Sequence, residues 1–282
     1  MCVNAFCDDW ERAMKKRIYV IILVIVFLTG VSLLLYPTVS DYISARQQAK
    51  AIAHYVEAME SRDTDVYKEH KRKAMEYNAS LPHNPARFSP TEEELMEYYD
   101  IFGGTDEPLG YIEIDAIDTS LPIYAGTEES VLQVGAGTMP GSSVPIGGES
   151  THAVITGHRG LPSSKLLTDL DRLKEGDTFV VNALGEVLTY EIDHICVVLP
   201  HEMEELAIHE GKDECTIVTC TPYGINTHRL LVRGRRIADI ENTELHITAD
   251  AVRMDKMLVI PIAALPIIIL AVIFIARRKE SL

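Results

Sequence analysis

The segment Thr216-Ile217-Val218-Thr219-Cys220 ends a β-branched run on a cysteine, and Arg229 follows nine residues later. A thiol at the end of a strand is fixed in position yet open to a cleft, as a nucleophile requires. A guanidinium returning on the next strand can stabilise negative charge that develops near it. Upstream, Ala153-Val154-Ile155-Thr156-Gly157-His158 is an apolar strand that delivers an imidazole at its end. A free thiol has a pKa near ~8.5, so little of it is thiolate at neutral pH without neighbouring cations. Cysteine, histidine and arginine at strand ends therefore point to thiol acyl-transfer chemistry.

These residues need a rigid frame, and the pattern supplies one. Alternating or β-branched runs at 111–115, 121–124, 153–156, 179–182, 187–199, 216–220 and 228–232 predict strands with brief turns between them. One helical stretch is predicted at 165–173. Seven or eight short strands with short connections indicate a mainly β fold closed into a barrel, which hides its edges. Upstream, 38–80 is charged and helix-rich, with a partial apolar stripe of Ile43, Ile52, Tyr55, Val56 and Met59; it predicts a spacer packed on the main domain. Three prolines then break the chain between Leu81 and Pro90. A helix should restart with Ser89 as N-cap, Pro90 in the first position and Glu92 completing a capping box. A further break falls at 103–108.

Strand geometry sorts the competing side chains. Cys215 and Cys220 fall on opposite faces of a regular strand, so both cannot line one cleft. Arg229 and Arg233 share a face but stand roughly 13 Å apart at ~3.3 Å per residue, so only one can meet the thiol. Arg233, Arg235 and Arg236 then read as a solvated or membrane-facing cluster. Cys196 and Cys215 read as small buried hydrophobes, paired or not. His152, His194, His201, His209 and His228 read as surface or satisfied polar side chains. The Cys and His spacings match no zinc pattern, so no metal and no cofactor is expected.

Two runs are long enough to cross a bilayer. Residues 18–36 are uncharged and follow Lys15, Lys16 and Arg17; residues 257–276 are uncharged and precede Arg277, Arg278 and Lys279. The first lacks a small-x-small cleavage pattern, which favours an uncleaved anchor over a signal peptide. Pro261 and Pro266 in the second are tolerated in membrane helices. Basic residues outside both runs predict cytoplasmic termini (1–17 and 277–282), with 37–256 on the far side of the cell membrane. That outer region carries 19 Lys+Arg and 38 Asp+Glu, a net charge of −19, which argues against a nucleic-acid partner.

The motifs resemble those of the sortases, membrane-anchored cysteine transpeptidases of Gram-positive bacteria. The family's Thr-Leu-x-Thr-Cys strand stands here as Thr216-Ile-Val-Thr-Cys220. Gly110-Tyr-Ile-Glu-Ile114, Leu121-Pro-Ile-Tyr124, Thr156-Gly-His-Arg-Gly-Leu-Pro162 and Cys220-Thr-Pro-Tyr-Gly-Ile-Asn-Thr-His-Arg229 are similar to the pilus-polymerising class C group, as is the second span. The resemblance implies an eight-stranded barrel at 110–240, preceded by a helical region at 37–109 and followed by a linker at 241–256. It implies Cys220 as nucleophile, His158 as general acid/base and Arg229 as oxyanion or substrate stabiliser. It further implies a Leu-Pro-x-Thr-Gly sorting signal cleaved between Thr and Gly through a thioester, and a pilin lysine as acceptor. Class C enzymes carry an Asp-Pro-aromatic lid. Here the comparable segment, within 82–90, has Asn84 for the acid, Pro85, Ala86 at the aromatic position and Phe88 two residues late. The segment is expected to overlie the cleft, with a weaker latch.

Other functions fit less well. A sorting substrate would need Leu-Pro-x-Thr-Gly before its last span, and 243–256 contains none. A catalytically inactive binding domain would not need the full Cys/His/Arg set. A wall-anchoring sortase using a peptidoglycan amine remains the alternative to pilus polymerisation.

Overall fold

The computed structural model describes residues 2–61, 64–102 and 107–238. The sequence-predicted second span at 257–276, the linker and tail around it, and part of the break at 103–108 lie outside these residues. Residues up to Tyr42 belong to one compact unit, and the barrel, with the chain from Ile43, belongs to another.

Helix α1 (Cys2–Ser61) contains the uncharged run of 18–36 and has Pro37 inside it. Among the described residues it is the one helix long and apolar enough to cross a membrane, and its apolar window is exposed throughout. A run of exposed apolar side chains around a helix is what a membrane anchor presents to lipid.

Eight strands close the barrel in the order β1 (Gly110–Ile114), β2 (Thr119–Ala125), β3 (Ala136–Thr138), β4 (Thr151–Thr156), β9 (Asp213–Thr221), β10 (His228–Arg236), β8 (Glu186–Val198) and β7 (Thr178–Ala183). The β2–β3 and β4–β9 pairs are parallel and the rest antiparallel. Period-two alternation fills the interior: Ile112, Ile114, Leu121, Ile123, Ile155, Phe179, Val181, Tyr190, Ile192, Cys215, Ile217 and Val232 all lie in one buried cluster. Closure satisfies every edge, so the frame holds strand ends in place without an exposed ladder. The three-residue β3 was not legible as a strand. Its Ala-Gly-Thr has almost no side chain to pattern, and the barrel recruits it through its neighbours.

The predicted helix at 165–173 is not formed. Instead β5 (Arg159–Leu161) and β6 (Ser164–Leu166) make a hairpin, followed by a single 3-10 turn at Leu170–Arg172. Leu166, Leu167, Leu170 and Leu173 have helical spacing, but all four are buried in the barrel's own core cluster. A turn buries the four together against the barrel, and that packing overrides local propensity.

The upstream helices pack on the barrel as a spacer should. Tyr55 and Ile52 of α1 form a cluster with Tyr111 of β1, with the tyrosine rings 6.0 Å apart and edge-on. In α2 (Thr64–Ser80), buried Asn78 accepts from Val144 N at 2.7 Å and donates to Val144 O at 3.0 Å, replacing a strand partner for the β3–β4 connection. Helix α3 (Glu92–Asp100) inserts Tyr98 among Tyr77, Tyr99 and Phe102. Its N-cap is Thr91, with Glu94 completing the capping box, two residues beyond the predicted Ser89 and Glu92. The shift has a cause: Ser89 N donates to Ala86 O at 2.7 Å, closing a turn that the helix would otherwise consume.

Candidate active site

Strand β9 presents alternate side chains to opposite sides. Cys215 and Ile217 point into the barrel, whereas Val218 belongs to an outer cluster with Val154, Leu206 and Leu231. Cys220 shares Val218's face and is partly exposed. Its direct partner across the β9–β10 ladder is Arg229. Directly opposed residues carry Cβ atoms about 4.5–5.5 Å apart on the same face, so the two side chains leave the ladder side by side. The Arg229 guanidinium donates from Nη1 to Asn226 O at 3.3 Å and to His228 O at 3.1 Å, which ties it to the β9–β10 turn.

His158 arrives from the other side. Strand β4 runs parallel to β9 with Thr156 opposite Val218. Gly157 N donates to Val218 O at 3.1 Å and Thr219 Oγ1 donates to Gly157 O at 2.8 Å, so the exit of β4 is pinned to β9. His158 follows two residues beyond Thr156, just past the end of β4. Cys220 and Arg229 therefore lie at the ends of the adjacent strands β9 and β10, and His158 follows the end of the neighbouring β4.

A family model described as Sortase domain matches residues 112–237. Sortase C1 of GBS pilus island 1 is 40% identical, aligns over 70% of this chain and 95% of its own, and superposes with a TM-score of 0.62. The chain belongs to the sortase family. It is thereby a cysteine transpeptidase by class. The Clostridium perfringens sortase C, solved with the C-terminal cell wall sorting motif, is 39% identical over 67% of this chain and 99% of that one, with a TM-score of 0.61. Sortase A of Streptococcus agalactiae is 34% identical over 145 residues, half of this chain and 56% of that protein's length.

Two groups near the site of this sortase were not visible in the sequence. Glu129, in the short helix α4 (Glu129–Leu132), places Oε2 3.2 Å from His158 Nε2. Gln133 donates to its other oxygen at 3.1 Å, and both contacts hold the Glu129 carboxyl below its usual range. Glu128, which N-caps α4, accepts from the Tyr99 hydroxyl, so α3 braces this helix. Arg159 is the second. Its guanidinium donates to Thr168 O at 3.2 Å, to Thr221 Oγ1 at 3.2 Å and to Asp171 Oδ2 at 2.6 Å, clamping the hairpin after His158 to the residue after Cys220. Only an acid two residues after a turn and an arginine adjoining the histidine stood in the sequence; neither position announces its partner 29 or 62 residues away.

The other thiols and histidines have other surroundings. Cys196, Cys215 and Cys220 are all free, so the first two form no disulfide. Burial pushes the Cys215 thiol far up, which keeps it protonated. Buried His152 is bonded on both nitrogens, to Ala207 O at 2.7 Å and Thr216 Oγ1 at 2.7 Å, and desolvation holds its pKa down. It is structural.

The segment at 82–90 docks on the same outer face. Asn84 Oδ1 accepts from Ala86 N at 2.9 Å and its amide donates to Glu94 at 3.3 Å, so it closes its own turn and caps toward α3. Arg87 donates to Gly141 O at 2.9 Å and Leu206 O at 2.6 Å, and its guanidinium stacks 4.1 Å from the Phe88 ring centroid. Phe88 packs on the Val154, Leu206, Val218 and Leu231 cluster. Val218 and Leu231 lie two residues from Cys220 and Arg229 on the same strands. At Gly141 (φ +84°) an added Cβ would stand 1.9 Å from Arg87 O, so this close approach depends on glycine.

Proposed function

We propose that this sortase cleaves a sorting signal of the Leu-Pro-x-Thr-Gly type between Thr and Gly and transfers the acyl group to a pilin lysine. The observation that carries the reading is register: Cys220 lies opposite Arg229 on β10, and β4, whose chain continues into His158, pairs with β9 up to Thr156 opposite Val218. The Cys220 thiolate adds to the Thr carbonyl, and Arg229 stabilises the charge that develops on its oxygen. The C–N bond then breaks, and His158 protonates the departing glycine amine. The lysine amine attacks the thioester and gives a proton to the now neutral His158 as the C–S bond breaks, leaving an isopeptide bond, the thiolate and a reprotonated imidazole. No ATP is consumed, because the thioester retains the acyl-transfer potential of the peptide bond. Glu129 orients the His158 imidazole. The chemistry belongs on the outer side of the membrane, with the N-terminal anchor at 18–36, a second span at 257–276 and both termini cytoplasmic.

Support for a pilin acceptor comes from the likeness to a sortase C1 of a pilus island and from the presence of an upstream segment on the site face. The test is to incubate the full chain in detergent with pilins bearing sorting signals. Lysine-linked covalent ladders are expected. Transfer only to a peptidoglycan-type amine would replace polymerisation with wall anchoring, and no transfer to either would remove the reading.

Phe88 and Arg87 hold the segment on the cluster beside Cys220 and Arg229, in place of an acid on Arg229. Phe88→Ala removes roughly 1–2 kcal/mol of apolar contact, so Cys220 alkylation by a bulky maleimide should quicken about tenfold. The rate is read by mass spectrometry on the peptide that carries Cys220. An unchanged rate would mean the segment does not shield the thiol.

A further inference from the structure

A second cluster of reactive side chains stands on the barrel's outer face, away from the β9–β10 turn. Along β8, Leu188, Tyr190 and Ile192 face the core. The ladder with β10 then slips, with Gly234 opposite Ile192 and Arg233 opposite His194. The extra residue inverts the alternation beyond it. Ile195 packs on the core, while Cys196 and Val198 pack on the outer cluster. His194, two residues before Cys196, turns outward with it. Glu205 comes from the 3-10 turn Glu204–Leu206 in the β8–β9 connection. His194 Nε2 lies 3.5 Å from Glu205 Oε2, and a ligand atom from each of His194, Cys196 and Glu205 lies within 4.8 Å of the other two.

We propose that His194, Cys196 and Glu205 form a zinc site that clamps the β8–β9 connection to the barrel. Thiolate, imidazole and carboxylate suit Zn²⁺, with bonds of about 2.3, 2.0 and 2.1 Å, and three protein ligands leave a fourth position for water. Such bonds put tetrahedral donor atoms about 3.3–3.7 Å apart. The present separations need only side-chain adjustment, and the His194 and Glu205 side chains are 40% and 42% exposed and free to make it. Ca²⁺ and Mg²⁺ prefer oxygen ligands and do not fit this set.

The third ligand is already held near the strand. Leu206, beside Glu205, is buried in the outer cluster and its carbonyl receives Arg87. The nearest opposing cation is Arg233, across the ladder from His194. Its charge is matched by Asp193 at 3.0 Å and Glu214 at 3.7 Å. On binding, the Cys196 S–H gives its proton to water as the sulfur–zinc bond forms. The Cys and His spacing matches no zinc motif, because the third ligand comes from a separate turn and a bulge sets the face of the other two.

The test uses the full chain in detergent with Cys220→Ala, which removes the other partly exposed thiol of the barrel. Calorimetric titration with Zn²⁺ alone should give one equivalent, and Co²⁺ should show a thiolate-to-cobalt absorption band. Adding Cys196→Ser should abolish the band and weaken Zn²⁺ binding by about 100-fold, the upper end of the cost of losing even a supporting partner of a ligand. Ca²⁺ should not compete. Absence of binding would leave His194 and Glu205 as an ion pair only. Binding that survives Cys196→Ser, or that shows no thiolate band, would place the metal elsewhere. Either result overturns the proposal.

Discussion

Replacing Cys220 with alanine should leave the enzyme unable to form a covalent adduct with a sorting-signal peptide. The barrel has three free thiols, and Cys220 is the one that lies opposite Arg229. Cys215 is fully buried in the core, where no substrate reaches and where burial keeps the thiol protonated. Cys196 lies on the outer face, paired with Leu231 rather than with Arg229. Cys220 has Arg229 opposite it across the ladder, and His158 follows the end of the neighbouring strand β4. Without its sulfur there is no acyl-enzyme to carry, and transfer should fall by on the order of 10⁴-fold or more. Mass spectrometry after mixing with peptide reads the adduct directly. Cys196→Ala should retain the adduct. An adduct of undiminished yield in Cys220→Ala would overturn the assignment.

Arg229→Ala should lower kcat by about 10²–10³-fold, the cost of removing one donor from a developing oxyanion. Register makes Arg229 the residue opposite Cys220, and its tie to Asn226 O and His228 O restrains the side chain before substrate arrives. Lysine should restore only part of the rate, since a single ammonium cannot reproduce the planar fork. Arg233→Ala should stay within about threefold of the parent, because that side chain is engaged with Asp193 and Glu214 and sits four residues along β10. Steady-state kinetics separate the outcomes. A change confined to KM would make Arg229 a binding residue with no part in stabilising the transition state, and equal losses at both arginines would remove the register argument.

The reading of the strands and of their closure into a barrel came from local information. The β-branched and apolar runs at 111–115, 153–156 and 216–220 favour extended backbone whatever covers them, and both faces of these strands are buried, one in the barrel and one under an outer cluster. Alternation separated Cys215 from Cys220, in agreement with the interior and outer clusters, and rise per residue separated Arg229 from Arg233 along one face. Where several local solutions were nearly equal, pattern failed. The leucines at 166–173 have a helical rhythm, yet a hairpin and a 3-10 turn bury them. Thr91 and Glu94 offered the same capping spacing as Ser89 and Glu92, and the turn that seats Arg87 and Phe88 decided between them.

The amino-acid sequence by itself put forward Cys220, His158 and Arg229 as candidates for the chemistry, and determined which face of β9 holds the thiol and which stretch of the N-terminal helix is apolar enough for a membrane. These follow from residue type and period alone. The tertiary structure decided what is joined across the chain. It brought Glu129 to His158, tied Arg159 to Thr221, and seated Phe88 on the cluster beside the site. It also inverted the face of β8 through one bulge, setting His194 and Cys196 beside Glu205. Such contacts depend on register and loop path, which long-range packing selects and no local pattern encodes.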